Sequence, residues 1–138
     1  MNIGEAEDAL PNGLHDANLL RFSVDYETRT AEFEFNAWVG DLSSKEEAIR
    51  EKYQRVILSV RGLRFLILEA PDPAYGFQHG NPTNGGFSGL SGEYPPPIEL
   101  GKLVEKLPTT AFYDATFVQD WNCFIHIAAD HAEIRLKQ

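Results

Sequence analysis

The sequence predicts an all-β domain, or a β-dominated α+β domain, of about six or seven antiparallel strands with one or two short helices. Two observations support this class. Apolar and polar residues alternate over several separate stretches, as half-buried antiparallel strands require. Helical signals are confined to two short segments, so the strands must cover each other as a two-layer sandwich or a strongly curved sheet. A single sheet covered by a long helix is the alternative architecture.

The length and the cysteine content limit the class of protein further. A chain of 138 residues is long enough to bury one core, so we expect a single domain over residues 1–138. A single cysteine, Cys123, excludes an intramolecular disulfide and the thiolate clusters of structural zinc sites. The first ten residues carry no basic and no long apolar run, so we expect no secretory signal and no membrane span. These features predict a cytoplasmic protein.

The charge argues against nucleic acid as a partner. The formal charge is −9, from 21 acidic and 12 basic side chains. Phosphate backbones repel such a chain unless a local basic stripe reverses the field, and the basic residues look scattered along the sequence. Solubility alone accounts for an acidic surface. The functional alternative is that this surface attracts a basic protein partner.

The first hairpin has the clearest alternation in the chain. A turn sequence, Leu10-Pro11-Asn12-Gly13, precedes it, and a polar turn at Glu27-Thr28-Arg29 divides it into two strands. Each strand places its apolar residues on one face. These residues are Leu20, Phe22, Val24 and Tyr26 in the first strand and Ala31, Phe33, Phe35 and Ala37 in the second.

The segment after the hairpin contains a helical signal and then two strands. Ser43 or Ser44 lies three residues before Glu46 or Glu47, which is the spacing of a capping box and predicts one short, solvated helical turn. The apolar run from Tyr53 to Glu69 reads as two strands broken at Gly62 by a turn or a bulge. Both faces of the second strand are apolar, which predicts a central strand covered on both sides.

Residues 71–97 form a Pro/Gly-rich loop. This segment contains six of the eight prolines and no run long enough for an element. Loops of this length are either functional or disordered, and its aromatic residues predict at least partial packing against the body. The aromatic residues are Tyr75, Phe77, Phe87 and Tyr94.

The C-terminal part returns to a short helix and then to strands. Ile98–Leu107 has helical spacing and ends before Pro108. Alternation follows from Ala111 to Phe117 and from Cys123 to Ile127. A two-residue turn at 129–130 or 130–131 then predicts a tight hairpin with the last strand, residues 132–136.

None of the histidines has a convincing catalytic or metal-ligand setting in the sequence. His15 and Asp16 are adjacent, and on an extended chain such neighbours point to opposite faces, so we expect them to satisfy the local backbone. His126 and His131 flank the predicted hairpin turn, where cross-strand polar pairing explains His126. We therefore predict no cofactor, no bound metal and no enzymatic activity. The alternative is a small hydrolase or metal-dependent enzyme whose site combines His15, Asp16, Asp114 and His126.

Three segments carry a resemblance to a known group. They are Leu14-His15-Asp16-Ala17 before the first hairpin, Leu58-Ser59-Val60-Arg61-Gly62, and the strand Ile125-His126-Ile127-Ala128. With these segments the chain resembles small bacterial β-rich proteins of unknown function, some of which are grouped with immunity proteins that neutralise polymorphic toxins. The resemblance implies a binding protein without catalytic residues.

The charge and this resemblance together predict a binding module for a basic protein. Charge complementarity speeds encounter and selects partners, and aromatic anchors commonly dominate interface energies. The expected contact elements are the acidic segment Asp41–Glu51 and the aromatic loop. The candidate residues are Asp41, Glu46, Glu47, Tyr75, Phe77, Phe87 and Tyr94.

Overall fold

The computed structural model describes residues 1–70, 83–84, 98–118 and 123–138. Within these residues seven strands of four or more residues, and one of two residues, form two antiparallel sheets. The strands are β1 Asn18–Asp25, β2 Thr30–Trp38, β3 Tyr53–Arg61, β4 Phe65–Leu68, β5 Thr83–Asn84, β6 Phe112–Val118, β7 Cys123–Ala129 and β8 His131–Leu136. The helices are α1 Ile3–Ala6, α2 Glu47–Arg50 and α3 Ile98–Glu105, and a 3₁₀ turn covers Glu7–Ala9.

The two sheets form the predicted two-layer sandwich. The larger sheet has the strand order β5-β1-β2-β3-β8, and the smaller sheet has the order β4-β7-β6. Side chains from both sheets meet in one hydrophobic cluster, so the layers share a core. The most deeply buried of these residues include Phe33, Phe35, Val56, Leu58, Val60 and Ile127.

The first hairpin confirms the strand prediction and adds one irregularity. All four predicted apolar residues of β2 are buried. In β1 the register shifts between Leu19 and Arg21, so that Leu19 pairs with Phe35 and packs on the core. The prediction that Leu20 shares the face of Phe22 is therefore wrong, because a bulge at this position moves the alternation by one residue.

Gly62 separates two strands as predicted, but those strands lie in different layers. The chain leaves β3 in the larger sheet, turns at Gly62 with a φ of +64°, and continues as β4 in the smaller sheet. Within the described residues β4 is an edge strand that pairs only with β7, and Leu68 is 52% exposed. The prediction of a central, doubly covered strand is wrong, because apolar composition on both faces does not distinguish a central strand from a short edge strand at a sheet corner.

The predicted hairpin of the last two strands is also wrong. β7 pairs with β4 and β6, whereas β8 pairs with β3 in the other sheet. Asp130 alone separates them and forms a corner, where its amide donates to the carbonyl of Arg61. His126 consequently lies between Ala115 and Ile67, not opposite residues of β8.

The N-terminal helix α1 was not predicted. Asn2 accepts a hydrogen bond from the amide of Glu5 and donates its own amide to the Glu5 carboxylate, which forms a capping box. The segment buries Ile3 and Ala6, and Leu10 follows in the same core. The signal in the sequence was the Asn-x-x-Glu spacing ahead of these apolar residues.

The two predicted helices are present with small differences. α2 covers four residues after Glu46, and its N-terminus lacks the predicted capping box because the Ser44 hydroxyl accepts the Glu46 amide instead. α3 ends at Glu105, before the predicted end. None of the helices in the described ranges is long and apolar enough to cross a membrane. The four aromatic candidates of segment 71–97 lie outside the described residues.

We expect Gly62→Ala to destabilise the fold. A Cβ at this position would lie 2.3 Å from Asp130 Oδ2 and 2.8 Å from Asp130 Cβ, and a φ of +64° is unfavourable for alanine. The free energy of unfolding should fall by about 2 kcal/mol in urea denaturation. Gly4→Ala is the control, because the nearest atom to its Cβ is 3.5 Å away and alanine favours a helix. Equal stability of the two variants would contradict the corner geometry.

Candidate interaction surface

The segment Asp41–Glu51, here called the acidic loop, connects β2 to β3 and is held by backbone hydrogen bonds. The amide of Val39 donates to the carbonyl of Lys52 over 2.8 Å, and the amide of Asp41 donates to the carbonyl of Ile49 over 3.2 Å. Glu46 O accepts the amides of Ile49 and Arg50, which closes the turn of α2. The loop therefore continues the β2–β3 ladder beyond its last residue pair.

Side chains outside the loop fix its base. The indole nitrogen of Trp38 donates to the carbonyl of Arg50 over 2.8 Å, and the Asn12 amide donates to the carbonyls of Trp38 and Gly40. A Cβ at Gly40 would lie 1.9 Å from the Arg50 carbonyl oxygen, so only glycine permits this approach of the two backbones. The three contacts hold the loop in one position relative to the sandwich.

The loop exposes its carboxylates, as the sequence predicted. Asp41, Glu46 and Glu47 are all exposed, and so is Glu51. The Ser43 hydroxyl and then the Ser43 amide donate to Asp41 Oδ1, and these bonds hold the pKa of the Asp41 carboxyl below its ordinary value. Asp41 is therefore charged at neutral pH.

The same loop exposes apolar residues that the sequence analysis missed. Leu42 is 71% exposed, Ile49 46% and Tyr53, at the start of β3, 45%. Isolated exposed apolar residues are common on soluble proteins, but here two of them accompany carboxylates on one fixed segment, and the third follows it in β3. The available signal was the presence of Leu42 and Ile49 in a segment read as polar and solvated.

His15 and Asp16 contact each other, contrary to the prediction. Asp16 has a φ of +59°, so the chain is not extended here, and His15 Nδ1 lies 3.1 Å from Asp16 Oδ2. Both side chains are exposed, at 74% and 64%. The pair lies on a surface turn and is not joined by the other two residues of the alternative enzyme site. Cross-strand register separates those two as well, because Asp114 faces the core and His126 the opposite face of the same sheet.

His126 has two hydrogen-bond partners that the sequence did not reveal. Its Nε2 lies 2.9 Å from Glu69 Oε2, and its Nδ1 lies 2.8 Å from the Tyr113 hydroxyl. Both ring nitrogens of His126 are therefore within hydrogen-bond distance of a polar side-chain atom. The other Glu69 oxygen accepts the amide of Phe124. Three strand segments are thereby tied together through one buried imidazole.

This cluster has the connectivity of a catalytic triad, with a phenol at the position of the nucleophile. Burial raises the pKa of the Tyr113 hydroxyl, and the charges of Asp114 and Glu69 raise it further. The hydrogen bonds of His126 join Tyr113 of β6 and Glu69, which follows β4, to β7, so the cluster ties these elements together. Among the described residues no group of three or more His, Cys, Asp or Glu side chains is arranged to hold a metal ion.

Two carboxyl groups are buried in or beside the core. Burial raises the pKa of Asp114 to about 7, against one opposing hydrogen bond from the Ala115 amide. Burial also raises the pKa of Glu7 to about 7, the Leu14 amide opposes this shift, and the charge of Asp114 adds to it. Glu7 Oε1 has no hydrogen-bond partner among the described residues. Both groups therefore bind a proton more tightly in the folded chain than in the unfolded chain.

The interpretation that the basic residues are scattered is wrong for one face of the larger sheet. Arg21, Arg55 and Lys137 all contact the carboxylate of Glu34, whose side chain is 4% exposed. The hydrogen bond from Lys137, and then that from Arg21, holds the pKa of Glu34 below its ordinary value although burial opposes the shift. These cations come from positions far apart in the sequence, which is why a search for a local basic run did not find them.

Comparison with known protein families, curated protein sequences and solved structures gives no match for this chain. The resemblance to small bacterial β-rich proteins therefore stays a prediction that rests on Leu14–Ala17, Leu58–Gly62 and Ile125–Ala128.

We expect stability to fall as pH rises. Glu7 and Asp114 have ordinary pKa values of 4.5 and 3.8 and folded values of about 7. Between these values the folded chain binds more protons than the unfolded chain, so the free energy of unfolding decreases from about pH 4 to about pH 7 and levels off above. Asp114→Asn should raise stability at pH 8 and reduce the difference between pH 5 and pH 8 in urea denaturation.

The matched control for this measurement is Glu27→Gln. Glu27 lies in the exposed turn between β1 and β2, where its backbone amide, not its side chain, bonds to Asp25. This variant should keep the pH dependence of the wild type. If Asp114→Asn also keeps the full pH dependence, the buried carboxyl is not the source of the effect.

Proposed function

We propose that this chain is a non-enzymatic binding module that engages a basic protein through the acidic loop. The observation that carries the proposal is a fixed loop that exposes Leu42 and Ile49 together with the carboxylates of Asp41, Glu46 and Glu47, and that is followed by the exposed Tyr53 of β3. Apolar residues in the centre of an interface supply most of the binding energy, and surrounding charges select the partner. The loop offers both in one place.

The hydrogen bonds at the base of the loop support the proposal energetically. A loop that is ordered before binding loses little conformational entropy when it binds, so its contacts contribute more to affinity. Trp38, Asn12 and Gly40 provide this order without using the exposed side chains. The residues that hold the loop and the residues that would contact a partner are therefore separate, and each set can be changed alone.

The charge of the whole chain supports a basic partner. The net charge of −9 gives a long-range attraction for a cationic surface, which raises association rates at low salt. The resemblance to immunity-type proteins makes a toxin domain with a basic surface the partner class that we propose. Four further candidates, Tyr75, Phe77, Phe87 and Tyr94, remain part of the sequence-based proposal.

Reversing two charges of the acidic loop should abolish capture of the partner. We expect the full chain, used as bait in a lysate of its source cells, to retain a basic protein that mass spectrometry identifies. The variant Glu46→Lys/Glu47→Lys should lose it, with the association rate falling at least about tenfold with the purified partner at low salt. Leu42→Ala/Ile49→Ala should instead raise the dissociation rate, because it removes apolar contact area. It should leave the association rate unchanged, because the charges are unchanged.

The control is Glu27→Lys/Glu99→Lys, which makes the same change of net charge at two exposed residues away from the loop. It should retain the partner. If both double variants lose the partner equally, the attraction depends on net charge and not on the loop. A retained partner that is itself acidic, or retention by the loop variant, would also contradict the proposal.

A further inference from the structure

The outer face of the larger sheet carries a cluster of cations around one buried carboxylate. Arg21 lies on β1 directly opposite Glu34 of β2, Arg55 lies on β3, and Lys137 follows β8. Arg21 Nη2 lies 2.8 Å and Arg55 Nη1 3.2 Å from Glu34 Oε2, and Lys137 Nζ contacts the other carboxylate oxygen. We call Arg21, Glu34, Arg55, Arg135 and Lys137 the cationic face.

This arrangement leaves unbalanced positive charge. Three cations share the carboxylate of Glu34, so two positive charges remain uncompensated around it. Arg135 lies in the same cross-strand row and contacts Glu32 over 3.1 Å, which neutralises it separately. A carboxylate that is only 4% exposed needs several donors, and the three cations supply them. Together they still carry more positive charge than the single carboxylate neutralises, so the cluster attracts a further anion.

The cluster lines a shallow pocket of the size of a small anionic group. The pocket has a volume of about 290 Å³, and its walls include the cations Arg21, Arg135 and Lys137, the carboxylates of Glu32 and Glu34, and the hydroxyl-bearing Ser23. Ile57 adds apolar surface, whereas the ring of Phe22 stacks on Phe33 on the core face of the sheet. Each arginine has five N–H donors, and the contacts to Glu34 use only some of them, so donors remain for a ligand.

We propose that the cationic face binds a phosphate group, carried by a monoester or free in solution. A phosphate dianion would neutralise the two unbalanced charges, and planar guanidinium groups match its oxygens in pairs. The buried Glu34 carboxylate holds the cations in place before the phosphate arrives. The apolar surface of Ile57, which pairs with Glu34 across the sheet, would contact the organic part of a monoester. This site lies on the outer face of the larger sheet, the acidic loop lies beyond the end of its β2–β3 ladder, and the two proposals do not depend on each other.

Isothermal titration calorimetry of the full chain with inorganic phosphate and with phenyl phosphate, at pH 7.5 and constant ionic strength, tests the proposal. We expect saturable binding with one site per chain. Arg135→Gln and Lys137→Gln should each weaken it about tenfold, because each removes a charge-assisted hydrogen bond. Lys102→Gln, an exposed lysine of α3, makes the same charge change and should leave the affinity unchanged.

The two ligands distinguish the two sources of phosphate. Tighter binding of phenyl phosphate assigns the site to monoesters, and equal binding assigns it to free phosphate; both results support a phosphate site. Thermal melts of each variant show whether the fold is intact, and an intact fold is expected because the substituted side chains are about half exposed. Absence of saturable binding of either ligand, or equal weakening by Lys102→Gln, would overturn the proposal.

Discussion

The register between β2 and β3 is the constraint on which the rest of the structure depends. These strands pair without interruption over nine residue pairs, from Thr30 with Arg61 to Trp38 with Tyr53. One face of this ladder supplies Phe33, Phe35 and Leu58 to the core. Because side chains alternate between faces, a slip of one residue would move all of them to the solvent side. The core on one face therefore fixes what the other face displays.

Both proposed sites follow from that register. On the outer face it places Glu34 where cations from β1, β3 and the end of β8 can meet, and so it produces the cationic face. The last pair of this ladder is Trp38 with Tyr53, and the acidic loop connects the two strands beyond this pair. The loop is thus an extension of the most continuous strand pair in the fold. The proposed cationic site lies along this strand pair, and the proposed acidic site lies beyond its end.

Local patterns in the sequence predict where most strands lie, but they do not predict which strands pair with each other. The alternation of β2 predicted its buried face correctly, since that signal is contained in nine neighbouring residues. The single residue Asp130 between β7 and β8 reads equally well as a hairpin turn or as a corner. The choice is made by distant contacts: the Asp130 amide bonds to Arg61, and its carboxylate bonds to Arg64. The contacts of His126 and Glu34 depend on the same long-range pairing and were invisible for the same reason.

The proposed binding function requires that the acidic loop is already ordered in the free protein. Residue-resolved amide hydrogen exchange by NMR tests this most directly, since it reports opening of individual hydrogen bonds. The amides of Val39 and Asp41 donate to backbone carbonyls across the base of the loop, and the amide of Arg50 donates to the carbonyl of Glu46 within α2. We expect them to exchange at least roughly a hundredfold more slowly than in an unfolded chain. Exchange of these amides at unfolded-chain rates, with β2 and β3 protected, would contradict the account.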